Sequence, residues 1–309
     1  MPPLTPDGKP DLQGVWVSNA ATPLERPKAL EGKAKLTDAE VAEMKKRFDR
    51  IFKSGDSDAA GGDSAFLATL ANVEKYINPN HSTGSSVGMI DRIFDNRTSL
   101  ITDPPDGRIP PLTPEGRARQ AAADAAFQRL TGPEDVSNAL RCITYGVPRL
   151  GGNFGAGQFS YYQIVQTPKY VVLLMEAAHE ARIIPLDGRP HLPPGVRQWA
   201  GDSRGRWEGK TLVVDTTNFS PKSYYMGSAE NLRLTERFTR VAPDMIRYEI
   251  RIDDPTTWTK PWSAMLPLRR SEQMIYEFAC HEGNEPMVGM LAGARQQEKA
   301  ADTVGKISK

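Results

Sequence analysis

The chain has 309 residues, of which 39% are hydrophobic and 25% charged, with 39 basic against 38 acidic side chains and a formal net charge of +1. These totals suit an ordinary globular protein with a sizeable core. Without a block of like charge, they give no reason to expect nucleic acid or an anionic membrane as partner. No apolar run approaches the roughly 20 residues a membrane helix needs, so no membrane insertion is expected. The opening Met1-Pro2-Pro3-Leu4 lacks the basic and apolar regions of a signal peptide. The protein is therefore either cytosolic or a mature form carrying a new initiator methionine.

In chain order, the Pro-rich residues 2–10 predict an extended arm, and residues 11–17, ending Gly14-Val15-Trp16-Val17, a short strand. A helix follows, with Thr37 as N-cap, Glu40 completing a capping box and Leu36 with Val41 as a hydrophobic staple. Val41, Met44, Phe48, Ile51 and Phe52 give it one apolar face. Residues 54–64, rich in Gly, Asp and Ser, predict a mobile loop. A second helix is expected over 66–77, stopped by Asn78-Pro79. Thr113 caps a third helix with Pro114 at its first position, which runs to about Leu130 and ends at Gly132-Pro133. The echo of 2–8 in 110–116 is a shared turn-and-cap phrase, not a repeat.

After Cys142 the texture becomes β-rich. Segments 161–166, 170–184, 211–219, 232–241, 245–252, 262–268 and 273–280 are rich in β-branched and aromatic residues and separated by short turns. Strands that follow one another without helices predict an antiparallel sheet. A sheet of seven or eight strands removes its edges by closing, so the fold class expected is mainly β, an antiparallel β-barrel with an N-terminal helical and extended region, with a β-sandwich as the alternative. The domain reading is 1–135 for the arm, first strand and packing helices, 136–295 for the barrel and 296–309 for a polar C-terminal tail.

Period-2 alternation assigns the inner face. Leu232, Leu234, Glu236 and Phe238 point inward, as do Ile246, Tyr248, Ile250 and Ile252, and Met274, Tyr276, Phe278 and Cys280. On one continuous strand from 170 to 184, Leu173, Met175, Ala177, His179, Ala181 and Ile183 share a face. That places His179 and Glu236 in an apolar interior, where an imidazole–carboxylate pair would have shifted proton affinities and could move protons. The alternative is structural: Glu236 pairs with an inward Arg, and His179 is a satisfied core residue. One bulge in a strand would exchange its faces.

Polar residues concentrate in 182–191 and 199–209, where Asp187, His191, Asp202 and Arg204 could bind substrate at a barrel mouth or simply pin a long loop. His179, His191 and His281 could converge on a divalent metal, but their spacing matches no metal motif. No nucleophile elbow, phosphate loop or dinucleotide fingerprint occurs, so no cofactor is expected. The Gly-rich 151–157 does not lie between a strand and a helix, and reads as a flexible loop. Cys142 and Cys280 are either a disulfide spanning the sheet region or two buried thiols.

The stretch Gly205-Arg206-Trp207-Glu208-Gly209-Lys210-Thr211-Leu212-Val213-Val214-Asp215-Thr216-Thr217-Asn218-Phe219 resembles the signature of a large uncharacterised family of bacterial proteins, most of them predicted to be exported. The similarity extends through 11–16, 97–114, 182–191, 254–262 and 276–284; Lys210 departs from the Asp usual there. The resemblance implies a periplasmic or secreted location and a Cys142–Cys280 disulfide, but no activity. Gly14-Val15-Trp16 resembles the first-strand pattern of lipocalin-type barrels, which implies a Trp closing one end and a ligand entering at the other.

The function expected is a cofactor-independent acid/base enzyme, a lyase, isomerase or hydrolase, acting on a small apolar or aromatic molecule. His179 would be the base, Glu236 its orienter or the acid, and Tyr248 or Tyr276 a donor to developing oxyanion charge. The alternatives are a periplasmic small-molecule carrier without turnover, and an exported structural protein.

Overall fold

The computed structural model describes residues 3–52, 63–76, 92–147 and 161–307. The loop expected at 54–64 falls almost wholly outside them, as do the Asn78-Pro79 stop and the Gly-rich 151–157.

The chain is mainly β. Its antiparallel sheet has ten strands: β1 (Gly14–Val17), β2 (Ile101–Asp103), β3 (Tyr161–Gln166), β4 (Tyr170–Met175), β5 (Ala181–Pro185), β6 (Asp202–Glu208), β7 (Thr211–Thr217), β8 (Arg233–Ala242), β9 (Met245–Asp253) and β10 (Trp262–Ser271). Nine of them run in the order β5-β4-β3-β1-β10-β9-β8-β7-β6, and β2 pairs with β10 beside β1. The hydrogen-bonded ladder is open between β5 and β6, so the sheet does not close into a barrel by strand pairing. Those two outer strands nevertheless touch through side chains. A Cβ at Gly205 of β6 would lie 2.6 Å from Leu186 Cδ2 and 2.8 Å from Ile184 Cγ2, so the approach requires the missing side chain.

The alternation read for β8 and β9 holds: Leu234, Glu236 and Phe238 are buried, as are Ile246, Tyr248, Ile250 and Ile252. These residues share one core with Trp16, Leu212, Val214, Trp258, Trp262, Leu266 and others. Trp16 is fully buried; its indole N–H donates to Leu12 O at 2.8 Å, and the Arg240 guanidinium lies 5.2 Å from its ring centroid.

Three expectations need correction. Residues 170–184 are not one strand but the hairpin β4–β5, reversed through 176–180, where Ala178 and His179 take φ of 56° and 50°. Leu173 pairs with Arg182 and Leu174 with Ala181, so Arg182 joins Leu173 on the inner face while Ile183 turns outward, 64% exposed. Residues 273–280 form no strand. They run as a strap whose amides bond to side chains, Tyr276 N to Glu176 Oε1 at 3.2 Å and Phe278 N to His179 Nε2 at 2.8 Å. Without ladder pairing nothing enforces alternation, and Met274 and Tyr276 stand exposed. Finally, the polar tail expected at 296–309 belongs, through Ile307, to helix α4 (Glu285–Ile307).

The helices lie outside the sheet's core. In α1 (Asp38–Phe52) the capping box forms as read, with Thr37 N donating to Glu40 Oε2 at 2.8 Å and Glu40 N to Thr37 Oγ1 at 3.3 Å. It packs on α2 (Asp63–Leu70) in apolar clusters of their own around Phe48, Phe66 and Phe94. Helix α3 (Pro114–Arg129) starts at the Thr113 cap. Arg295 of α4 donates to Leu130 O and Thr131 O, serving carbonyls at the C-terminal end of α3 that the helix itself leaves unpaired. Cys142 and Cys280 form a disulfide with Cα atoms 5.8 Å apart, joining the strap to the segment before β3. Among the described residues no helix is long and apolar enough to cross a membrane.

Two outcomes follow from this architecture. Gly205→Ala should lower stability by about 1–2 kcal/mol, the cost of overpacking the β5–β6 contact, whereas Gly195→Ala, with nothing within 4 Å, should be near neutral; urea denaturation compares them. Replacing both cysteines by Ala should lower it by about 3–5 kcal/mol, because the bridge spans 138 residues and constrains the unfolded chain accordingly.

Candidate ligand-binding site

Glu236 sits mid-strand in β8, 2% exposed, with Ile250 opposite it on β9 and Phe238 and Tyr248 beside it on the same face. A carboxylate there needs full compensation. It comes from Arg182 on β5: Nη1 donates to Glu236 Oε1 at 3.0 Å and Nη2 to Oε2 at 2.5 Å, a bidentate pair. The same Nη2 donates to Ser203 Oγ of β6 and Thr216 Oγ1 of β7, each at 3.1 Å. Tyr248 Oη donates to Glu236 Oε1 at 2.8 Å. One guanidinium thus reaches three strands on the far side of the open ladder, and Glu236 hands the connection on to a fourth, β9.

Burial pulls the Arg182 proton affinity down, and the Glu236 carboxylate more than reverses that, leaving the guanidinium above its usual value. The Tyr248 phenol is pushed well above the ordinary range, by burial first and then by the charge on Glu236. It is a neutral donor.

Beside this group lies a cavity of about 40 Å³. Ile164, Leu173, Met175, Phe238, Leu266 and Leu268 make its walls apolar; Ser18, Arg182, Glu236 and Tyr248 supply polarity. The volume matches about three waters at ~10–15 Å³ each, far below the ~300–1,000 Å³ of drug-sized ligand sites.

Of the residues assigned catalytic roles from sequence, Glu236 and Tyr248 meet at this cavity. The inward placement of His179 is corrected: it lies exposed in the β4–β5 turn, its Nε2 accepting from the strap. Tyr276 is 63% exposed on the strap itself. The reversal within 170–184 moved both the imidazole out and Arg182 in. The first half of the structural alternative is what forms, an inward Arg on Glu236.

Among the mouth residues, His191, Asp202 and Arg204 come together. Asp202 is 4% exposed and accepts from His191 Nδ1 at 2.9 Å, Leu192 N at 2.9 Å and Arg204 Nη1 at 2.6 Å. This carboxylate anchors the loop between β5 and β6, away from the cavity lining. Asp187 stands apart with Arg189, whose guanidinium holds its carboxyl down at about 2. Among the described residues no group of three or more His, Cys, Asp or Glu could hold a metal ion, so His179, His191 and His281 do not converge.

Arg182, Ser203, Thr216 and Ser18 escaped sequence reasoning. Arg182 was detectable: Glu176-Ala177-Ala178-His179-Glu180 is a poor strand sequence between two good ones, and a turn there exchanges the faces. The hydroxyls carry no such signal. Comparisons with protein-family models, curated proteins and solved structures return no match.

Glu236→Gln should cost about 3–5 kcal/mol by leaving the Arg182 charge buried and unpaired. The double variant Arg182→Met with Glu236→Leu should recover most of that loss. Chemical denaturation of the three proteins measures both.

Proposed function

We propose that the protein is an exported small-molecule-binding protein, periplasmic or secreted, that holds a compact, mostly apolar ligand in the cavity beside Arg182, Glu236 and Tyr248. The observation that carries this is a mainly apolar hollow with a charge-balanced ion pair in its wall. Both Glu236 oxygens are engaged by Arg182 and Tyr248, the phenol is held neutral, and His179 stands at the surface, so binding fits this wall better than proton transfer does. The cofactor-independent lyase, isomerase or hydrolase chemistry built on a His179–Glu236 pair loses its base.

The container is best understood as barrel-like in the lipocalin manner. The β5–β6 contact at Gly205 and the reach of Arg182 to Ser203 support closure by side chains, and buried Trp16 beneath Arg240 supports a plugged end. A Cys142–Cys280 bridge favours an oxidising compartment, as does the resemblance to exported bacterial proteins.

Thermal unfolding in the presence of isobutene, a solute small enough for the cavity, tests the proposal. A ligand at a hundred times its Kd stabilises by about 2.7 kcal/mol, read as a rise in Tm that Leu268→Phe, which fills the cavity, should abolish. Absence of any rise in the parent protein with this solute, propene or acetone would remove the binding function.

A further inference from the structure

The geometry points to a ligand that is neutral and carries one hydrogen-bond-accepting oxygen, a small ketone, aldehyde or ester, set against Arg182 Nε and Ser18 Oγ. This rests on the cavity being a binding site, and adds to it the chemical class of the occupant.

Arg182 has five N–H bonds, all donors, and cannot shed its proton. Its two Nη groups are committed to Glu236, Ser203 and Thr216. The Nε–H is buried and has no partner, in a residue that is 7% exposed and lines the cavity. Ser18, just past the end of β1, is 2% exposed, lines the same cavity, and its Oγ is also without a partner. A buried polar group left unpaired is costly, and a native fold keeps one where something else completes it. An obligate donor requires an acceptor; a serine hydroxyl can donate to the same oxygen. The apolar walls require that the remainder of the molecule be hydrocarbon.

Charge excludes the acids that an arginine would ordinarily select. Arg182 and Glu236 already neutralise one another, and both are buried. A carboxylate placed on Nε would add a second anion beside Glu236 and leave net negative charge in an apolar enclosure. A carbonyl oxygen pairs the donor and brings no charge.

Three probes of similar shape, small enough for the cavity, separate these alternatives: acetone, its oxygen-free isostere isobutene, and acetate. Acetone should bind about tenfold more tightly than isobutene, the effect of one neutral hydrogen bond, with the carboxylate weakest. In ¹H–¹⁵N spectra of the full chain, the Arg182 Nε–H resonance should move with the ketone and hold still with the hydrocarbon. Ser18→Ala should weaken the ketone several-fold relative to the hydrocarbon. Equal affinities for ketone and hydrocarbon, with a stationary Nε–H signal, would overturn the ligand class while the binding site stood. Tightest binding of the carboxylate would overturn it also. Binding of none of the three would overturn the site and the ligand class together.

Discussion

The structure depends on one buried ion pair. Arg182 projects from an outer strand of the sheet and meets Glu236 three strands in from the opposite edge, passing Ser203 and Thr216 on the way. Backbone hydrogen bonds hold the ladder from β5 round to β6, but none joins its two ends. Side chains do that work at Arg182 and around Gly205. A bidentate guanidinium–carboxylate pair suits this position because its geometry is directional: β5 can lie in few places that satisfy both oxygens and the two hydroxyls.

Such a pair is weak evidence for net stability, since desolvating both charges consumes much of their attraction. Its value here is specificity. An all-apolar wall would let β5 slide along β6, whereas unmaking this group strands a buried charge. The same requirement explains the neutral phenol: Tyr248 donates to the oxygen of Glu236 that Nη1 also meets, and ionising it would bring a second negative charge into the enclosure.

The polar loop between β5 and β6 acts as scaffolding. Asp202 gathers His191, Leu192 N and Arg204 around one carboxylate, and that keeps the chain leaving β5 returning in register as β6. Across the sheet, the disulfided strap performs a related task on the β4–β5 turn through Glu176 and His179. Residues that looked chemical in sequence thus serve to position the two edge strands of the sheet.

What the sequence by itself determined is local and periodic. Alternation along 232–252 identified the inner face of β8 and β9 because both strands are paired on each side, so register and burial leave no freedom. The Thr37–Glu40 box and the Thr113 cap were legible because capping needs only four neighbouring residues. Only the tertiary structure decided which groups meet across 54 residues of chain. The reversal at 176–180 traded His179 for Arg182, since a turn of five residues changes strand parity and alternation cannot count through it. Residues 273–280 kept a strand-like pattern with no ladder to join. The cavity, its two unpaired donors and its neutral balance of charge draw on β3, β4, β5, β8, β9 and β10 with Ser18 after β1, a proximity that exists only in the folded chain.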